Sequence, residues 1–323
     1  MFVAGNKLLI TVPWDYGPLG DVSIYDPALN NWTNTKMGEP RIGYAHAVIG
    51  NKVFFAGGFQ NYSGSLDLGS ETSRVDIYDL TTNSWSVANL SEPRGIIKTA
   101  VVGNKVFFAG GLKSNGSFSN KVDIYDVLSN TWSITEFKGT PRVIEAAVTA
   151  QNKIFFIGGF TKWENPTGFG YTGTTPTKTI DVFDYNTGVW SIENMDFSRN
   201  AFSAIAVDDK VYIAGGVNRD WGQVSSDVEI INVNTLTHTH SCLPQAKIWG
   251  ANAVALKNDL IIFFTGNALD ESRLDIYNTR TGEWFMSSVP GSILEKYGDR
   301  AKIASVNNDL FVLVNTELYK LIF

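Results

Sequence analysis

The chain has 323 residues, of which 44% are hydrophobic, 13% aromatic and only 18% charged, which excludes a disordered polymer and supplies ample material for a packed core. Its net charge of -6 excludes a general nucleic-acid binder, whose phosphate contacts need a basic surface. The single cysteine, Cys242, excludes an intrachain disulfide and a cysteine-rich zinc site.

The N-terminal stretch MFVAGNKLLITVPWDYG opens on a strand pattern, with a short strand expected at Phe2 to Ala4, and lacks the basic start and cleavage site of a signal peptide. No run approaches the roughly 18 to 20 apolar residues of a membrane span. A soluble chain in a reducing cytoplasm, with no membrane contact, is therefore expected; a secreted one is the alternative if Met1 is not the true start.

From Asn6 onward one unit recurs. NKLLITV (Asn6), NKVFFAGG (Asn51), NKVFFAGG (Asn104), NKIFFIGG (Asn152), DKVYIAGG (Asp209), NDLIIFFTG (Asn258) and NDLFVLV (Asn308) each place a polar turn pair before a run of β-branched and aromatic residues, the mark of a tight turn entering a buried strand. Each is preceded by a small-residue alternating segment, such as YAHAVIG or KTAVVG, suited to a crowded innermost strand.

Further along each unit comes DVSIYD, RVDIYD, KVDIYD, TIDVFD, DVEIIN or RLDIYN, with a weaker counterpart in ELYKLIF. In five units the aromatic of this segment is followed seven residues later by tryptophan: Tyr25 and Trp32, Tyr78 and Trp85, Tyr125 and Trp132, Phe183 and Trp190, Tyr277 and Trp284. The step spans a turn rich in Asn, Thr and Gly, which places the two rings on adjacent antiparallel strands. Four strands per repeat, named a to d outward from the crowded one, are thus expected in an all-β chain.

The glycine doublets Gly57-Gly58, Gly110-Gly111, Gly158-Gly159 and Gly215-Gly216, combined with the Tyr or Phe and Trp pairs, resemble the kelch family over essentially the whole sequence. The resemblance implies a β-propeller of seven blades of four antiparallel strands, residues 1–323 forming a single domain with repeats near 1–38, 39–91, 92–138, 139–196, 197–243, 244–290 and 291–323. First and last blades are degenerate: Val12-Pro13 and Val314-Asn315 replace the doublet, only Gly266 remains in the sixth repeat, and the last blade lacks an outer strand. A six-bladed ring is the alternative; it would leave NNDLFVLV and ELYKLIF as orphan apolar strands.

A basic residue recurs in each connection from strand d to the next strand a: Arg41, Arg94, Arg142, Arg199, Lys247 and Arg300. Two readings stand side by side. Each cation caps backbone carbonyls or pairs with an aspartate of an adjacent blade, or the six form a ring that captures a carboxylate, phosphate or acidic peptide. The resemblance adds that kelch adaptors bind short acidic segments on this face.

The long b-to-c loops, Phe59 to Ser73, Phe160 to Lys178 and Val217 to Ser226, open on the same face. They carry Tyr62, Trp163, Phe169, Tyr171 and Trp221 amid Gly, Ser, Thr and Asn, a mixture of rigid anchors and adaptable polar groups. These rings either contact a ligand or fold back as lids on the blades.

The repeated carboxylates Asp76, Asp79, Asp123, Asp126, Asp181 and Asp184 recur in every blade, unlike a catalytic pair, and are expected to accept turn hydrogen bonds. His46, His238 and His240 offer no third metal ligand, and no cofactor is expected. Four N-x-S/T sequons, at Asn31, Asn61, Asn89 and Asn115, are as many as chance supplies in such a composition.

The functional expectation is a monomeric, non-enzymatic scaffold binding a protein or peptide segment, acidic in character, through Arg41, Arg94, Arg142, Arg199, Lys247, Arg300, Tyr62, Trp163, Tyr171 and Trp221. The alternative is a carbohydrate-directed protein, lectin or mutarotase, with a sugar ligand in a central funnel.

Overall fold

The computed structural model describes residues 1–11, 20–61, 69–162, 175–218, 223–246, 252–256, 259–264, 273–289, 302–314 and 317–321. These residues form strands joined by turns, without a helix: an eighth, small sheet of two-residue strands stands beside seven successive antiparallel sheets whose strands follow chain order. They are the blades of a β-propeller.

Blade 1 holds Phe2–Ala4, Lys7–Thr11, Asp21–Asp26 and Asn31–Lys36, including the short first strand expected from the sequence. Blade 2 holds Ala45–Ile49, Lys52–Ala56, Arg74–Asp79 and Ser84–Asn89. Blade 3 holds Lys98–Val102, Lys105–Ala109, Lys121–Asp126 and Thr131–Glu136. In blade 4 they are Ala146–Ala150, Lys153–Ile157, Thr179–Asp184 and Val189–Asn194. Blade 5 runs through Ser203–Val207, Lys210–Ala214, Asp227–Asn232 and His238–Cys242. Blade 6 comprises Asn252–Leu256, Leu260–Phe264, Arg273–Asn278 and Trp284–Ser288. Blade 7 shows three strands, Lys302–Val306, Asp309–Val314 and Glu317–Leu321.

Two compact units contain these blades. One spans Leu9–Phe197, with blades 2 to 4; the other joins Met1–Leu8 to Ser198–Phe323, with blades 5 to 7. In the first unit, strands a of blades 2, 3 and 4 lie side by side; in the second, those of blades 5, 6 and 7 do so, with Phe2–Ala4 next to Lys302–Val306.

Within a blade, burial follows position. Strand b is covered on both faces, so Val53, Phe54, Phe55 and Ala56 have no exposed surface. Each large apolar side chain so buried contributes roughly 1.5–3 kcal/mol. Strand d is largely exposed except where its tryptophan packs back: Tyr78 lies directly opposite Trp85 with ring centroids 4.9 Å apart, and the other four pairs lie at 4.8 to 5.1 Å.

Turn chemistry explains the recurring Asp and Asn between strands c and d. Asp79 accepts the backbone N–H groups of Thr81 and Thr82, Asn83 adopts φ 53°, and the Tyr78 hydroxyl donates to the Asn83 amide oxygen at 3.0 Å. Asp126 and Asp184 repeat the first contact, as expected.

Candidate functional site

Strand b ends where the glycine doublet turns the chain. Gly57 (φ 63°) and Gly58 (φ 102°) occupy the left-handed region, and a Cβ there would fall 2.3 Å from the Arg94 carbonyl oxygen and 2.5 Å from that of Ile42. Only glycine meets both demands. The turn aims the Gly57 carbonyl at the basic residue of the same blade, whose position repeats along the sequence.

Arg41 donates from Nε to Gly57 O, from Nη2 to Phe55 O and from Nη1 to Glu39 O, each at 2.8 Å, and from Nη1 to Asp76 Oδ2 at 2.5 Å. Arg142 repeats the pattern on Gly158, Phe156, Thr140 and Asp181. Arg94 pairs with Asp123 at 2.7 Å and donates to Phe108 O; Arg199 pairs with Glu229 at 2.6 Å and with Asp227 at 3.2 Å. Burial lowers the Arg142 pKa, and the Asp181 carboxylate opposes that shift.

All four guanidinium groups have 0% exposure. The carbonyl-capping and ion-pairing reading is the one displayed, with one correction: the acid stands on strand c of the arginine's own blade, not on an adjacent one. The ligand-capturing ring is corrected likewise, because Arg41, Arg94, Arg142 and Arg199 present no atom to solvent and their charge is neutralised within the blade. Lys247 and Arg300 lie outside the described residues.

The carboxylates therefore divide into two jobs. Asp79, Asp126 and Asp184 hold turns, whereas Asp76, Asp123 and Asp181 are counter-ions of the arginines, a role beyond the turn acceptance expected. The buried acids also fix neighbouring loops: Asp123 accepts Ser91 N and Oγ, and Asp181 accepts Gly139 N. The arginine main chain meanwhile ties blades together, since Arg94 O accepts Gly58 N and Arg142 O accepts Gly111 N across successive blades.

Above this layer lies a feature the sequence reading missed. The residue after each doublet bridges both the segment following the arginine and the segment entering strand c: Phe59 to Ile42 and Glu71, Leu112 to Gly95 and Phe118, Phe160 to Val143 and Pro176. In blade 5 the same ladder lengthens to Arg199–Asn200, Val217–Asn218 and Gln223–Val224. Ile42, Phe59, Leu112, Val143 and Phe160 are buried together, with Ile96 and Phe118 packed on them. The signal available was the apolar residue after every GG, at Phe59, Leu112, Phe160 and Val217.

These ladders pin the bases of the b-to-c loops on one apolar layer in blades 2 to 4. Tyr62, Trp163, Phe169, Tyr171 and Trp221 lie outside the described residues.

Blade 5 carries a variation. His238 stands opposite Ile231, where other blades place tryptophan opposite Tyr or Phe, and its Nδ1 lies 2.7 Å from Glu229 Oε1. His240 Nδ1 lies 2.7 Å from Asp227 Oδ1. The structure corrects the expectation that no third ligand-type group stands near these histidines: Asp196, Glu229 and His238 bring such atoms within 4.8 Å of one another, with the Arg199 guanidinium 2.6 Å from Glu229 Oε2. His46 is exposed on its strand, with its carbonyl accepting the Thr99 hydroxyl.

Sheets of this repeat, built in blades 2 to 5 on a doublet, a buried arginine and its acid, define the class of kelch-type β-propellers. The chain belongs to the kelch-repeat family: residues 97–314 match the KLHDC2/KLHL20/DRC7 Kelch-repeats domain and residues 40–89 the Kelch motif. It is 33% identical over 100 residues to Kelch-like protein 7 of Rattus norvegicus, covering 30% of this chain and 16% of that protein. With alpha-scruin of Limulus polyphemus it shares 28% over 222 residues, 66% of this chain and 23% of the relative. The chain thus spans only a small part of these relatives. The solved structure of YjhT superimposes with TM-score 0.64 at 14% identity, covering 89% of this chain and 96% of that one, and supports the fold alone. Protein binding is the typical role of kelch repeats, and no described helix is long and apolar enough to cross a membrane.

Proposed function

We propose that the chain is a non-enzymatic scaffold that binds a peptide or protein segment through its b-to-c loops. The observation that carries this reading is the apolar layer of Ile42, Phe59, Leu112, Val143 and Phe160, which anchors the bases of the three loops of blades 2 to 4 on a rigid support. Loops held this way can present Tyr62, Trp163 and Tyr171 to a partner at little ordering cost, and Trp221 belongs to the corresponding loop of blade 5, whose base is the ladder of Arg199–Asn200, Val217–Asn218 and Gln223–Val224. Lys247 and Arg300 add the cations that an acidic segment would meet. The four buried arginines serve this face by positioning its loops.

The test is binding of a captured partner segment to the triple variant Trp163→Ala, Tyr171→Ala, Trp221→Ala. The reading expects lost affinity with an unchanged unfolding midpoint, and unchanged affinity would refute it.

A further inference from the structure

Blade 5 departs from blades 2 to 4 at four places, and every departure brings in a group that can bind a metal. In blades 2 to 4 the buried acid is an aspartate, Asp76, Asp123 or Asp181; in blade 5 it is the longer Glu229. The tryptophan of strand d is replaced by His238. The exposed aliphatic opposite the acid, Val87, Ile134 or Ile192, is replaced by His240. The fourth change precedes the arginine. Ser91 and Gly139, three residues before Arg94 and Arg142, donate to the acid of the blade they lead into, whereas the same position before Arg199 is Asp196.

A carboxylate thus stands where other blades place a hydrogen-bond donor. Asp196, Glu229 and His238 each bring one ligand-type atom within 4.8 Å of the others. Two carboxylates held so close disfavour each other unless a cation or a proton joins them. Arg199 answers part of this demand, with Nη2 at 2.6 Å from Glu229 Oε2 and Nη1 at 3.2 Å from Asp227 Oδ2.

The same arginine orients the site. It holds Glu229 Oε2, while Oε1 is turned to His238, whose Nδ1 lies 2.7 Å away. A carboxylate anchored through one oxygen and presenting the other beside an imidazole is how outer-shell partners fix metal ligands. At metal–ligand distances of about 2.0–2.2 Å the two atoms would stand roughly 3.3 Å apart in a tetrahedral site. The opening this requires falls on the half-buried His238 of an outer strand, next to the exposed Asp196.

We propose that Asp196, Glu229 and His238 form a binding site for a divalent first-row cation of the zinc type. Two carboxylate oxygens and one imidazole nitrogen suit such an ion and disfavour calcium and magnesium, which take oxygen ligands. Binding needs Nδ1 without its proton, so the imidazole takes the Nε2–H tautomer. The site is separate from the b-to-c loops and does not rest on the scaffold reading for them.

The test titrates the metal-stripped full chain with Zn2+ by calorimetry and with Co2+ by visible absorption. Saturable binding of one ion per chain is expected. His238→Ala and Asp196→Ser should each weaken it about tenfold or more, whereas His46→Ala and His240→Ala should leave it unchanged. Asp196→Ser installs the residue that blade 3 carries as Ser91, so the unfolding midpoint without metal should not fall. Its loss of zinc binding is then a readout that loss of folding cannot mimic. No saturable binding of Zn2+, or binding that both His238→Ala and Asp196→Ser leave intact, would overturn the proposal. Loss on His240→Ala without loss on His238→Ala would also overturn it, by moving the ion to the other histidine.

Discussion

Arg142 and Asp181 form an ion pair 2.7 Å apart in which neither side chain has exposed surface. Its meaning depends on what surrounds it. The same guanidinium also satisfies the carbonyls of Gly158 and Phe156, at the point where strand b turns through the doublet. Removing the cation alone would leave a buried carboxylate and two carbonyls without their donor. Arg142→Leu is therefore expected to destabilise the protein by about 3–5 kcal/mol. The double variant Arg142→Leu, Asp181→Leu should recover a substantial part of that loss. Urea unfolding of the two variants checks this; additive losses would contradict the pairing.

Much of this architecture was legible before any coordinates. The period, the doublets and the seven-residue step from Tyr or Phe to Trp gave blade number, strand order and the pairing of strands c and d. The acid partner of each arginine was not legible, for a geometric reason. Arg41 and Asp76 are separated by 35 residues but Arg94 and Asp123 by 29, because the b-to-c loop between them varies in length. Only the sheet register brings each cation to strand c of its own blade. The small ladder above the doublets was hidden as well, since one bridging residue per segment leaves no alternating pattern.

Leu236 has φ 56° in the c-to-d turn, where other blades place Asn30, Asn83, Asn130, Gly188 and Gly282 in the same conformation. A leucine in the left-handed region is strained by roughly 1–2 kcal/mol, and asparagine tolerates it better. Leu236→Asn should raise stability by about 0.5–1 kcal/mol, measured as a shift of the denaturation midpoint at unchanged slope.

Trp85 Nε1 donates to Thr35 Oγ1 of the preceding blade at 2.8 Å, and Trp284 Nε1 donates to Ser241 Oγ at 2.9 Å. Register places Ala88 in the position that would serve Trp132. Ala88→Ser should stabilise by about 0.5–1 kcal/mol and Thr35→Val should destabilise by a similar amount. Thermal unfolding of both variants checks this, and a loss on Ala88→Ser would contradict the equivalence.

Hydrogen bonds from Thr81 and Thr82 hold the Asp79 pKa below its ordinary value of 3.8. The backbone N–H of Ser129 does the same for Asp126, and the Lys153 ammonium leads the effect at Asp184. A carboxylate with a lowered folded pKa binds its proton more readily when unfolded. Its contribution to stability is complete above the ordinary value and is lost as pH falls through the lowered one. Stability should thus decline below pH 3.8, and Asp79→Asn should flatten that decline. Denaturation midpoints across this acid range provide the measurement.

The most direct test of the central claim, that the loops and not the buried arginines meet the partner, is site-specific photo-crosslinking. A photoreactive residue at Trp163 or Trp221 should capture the partner segment, whereas one at Leu128, an exposed position in a c-to-d turn, should not. Capture from Leu128 with none from the loop positions would contradict the account.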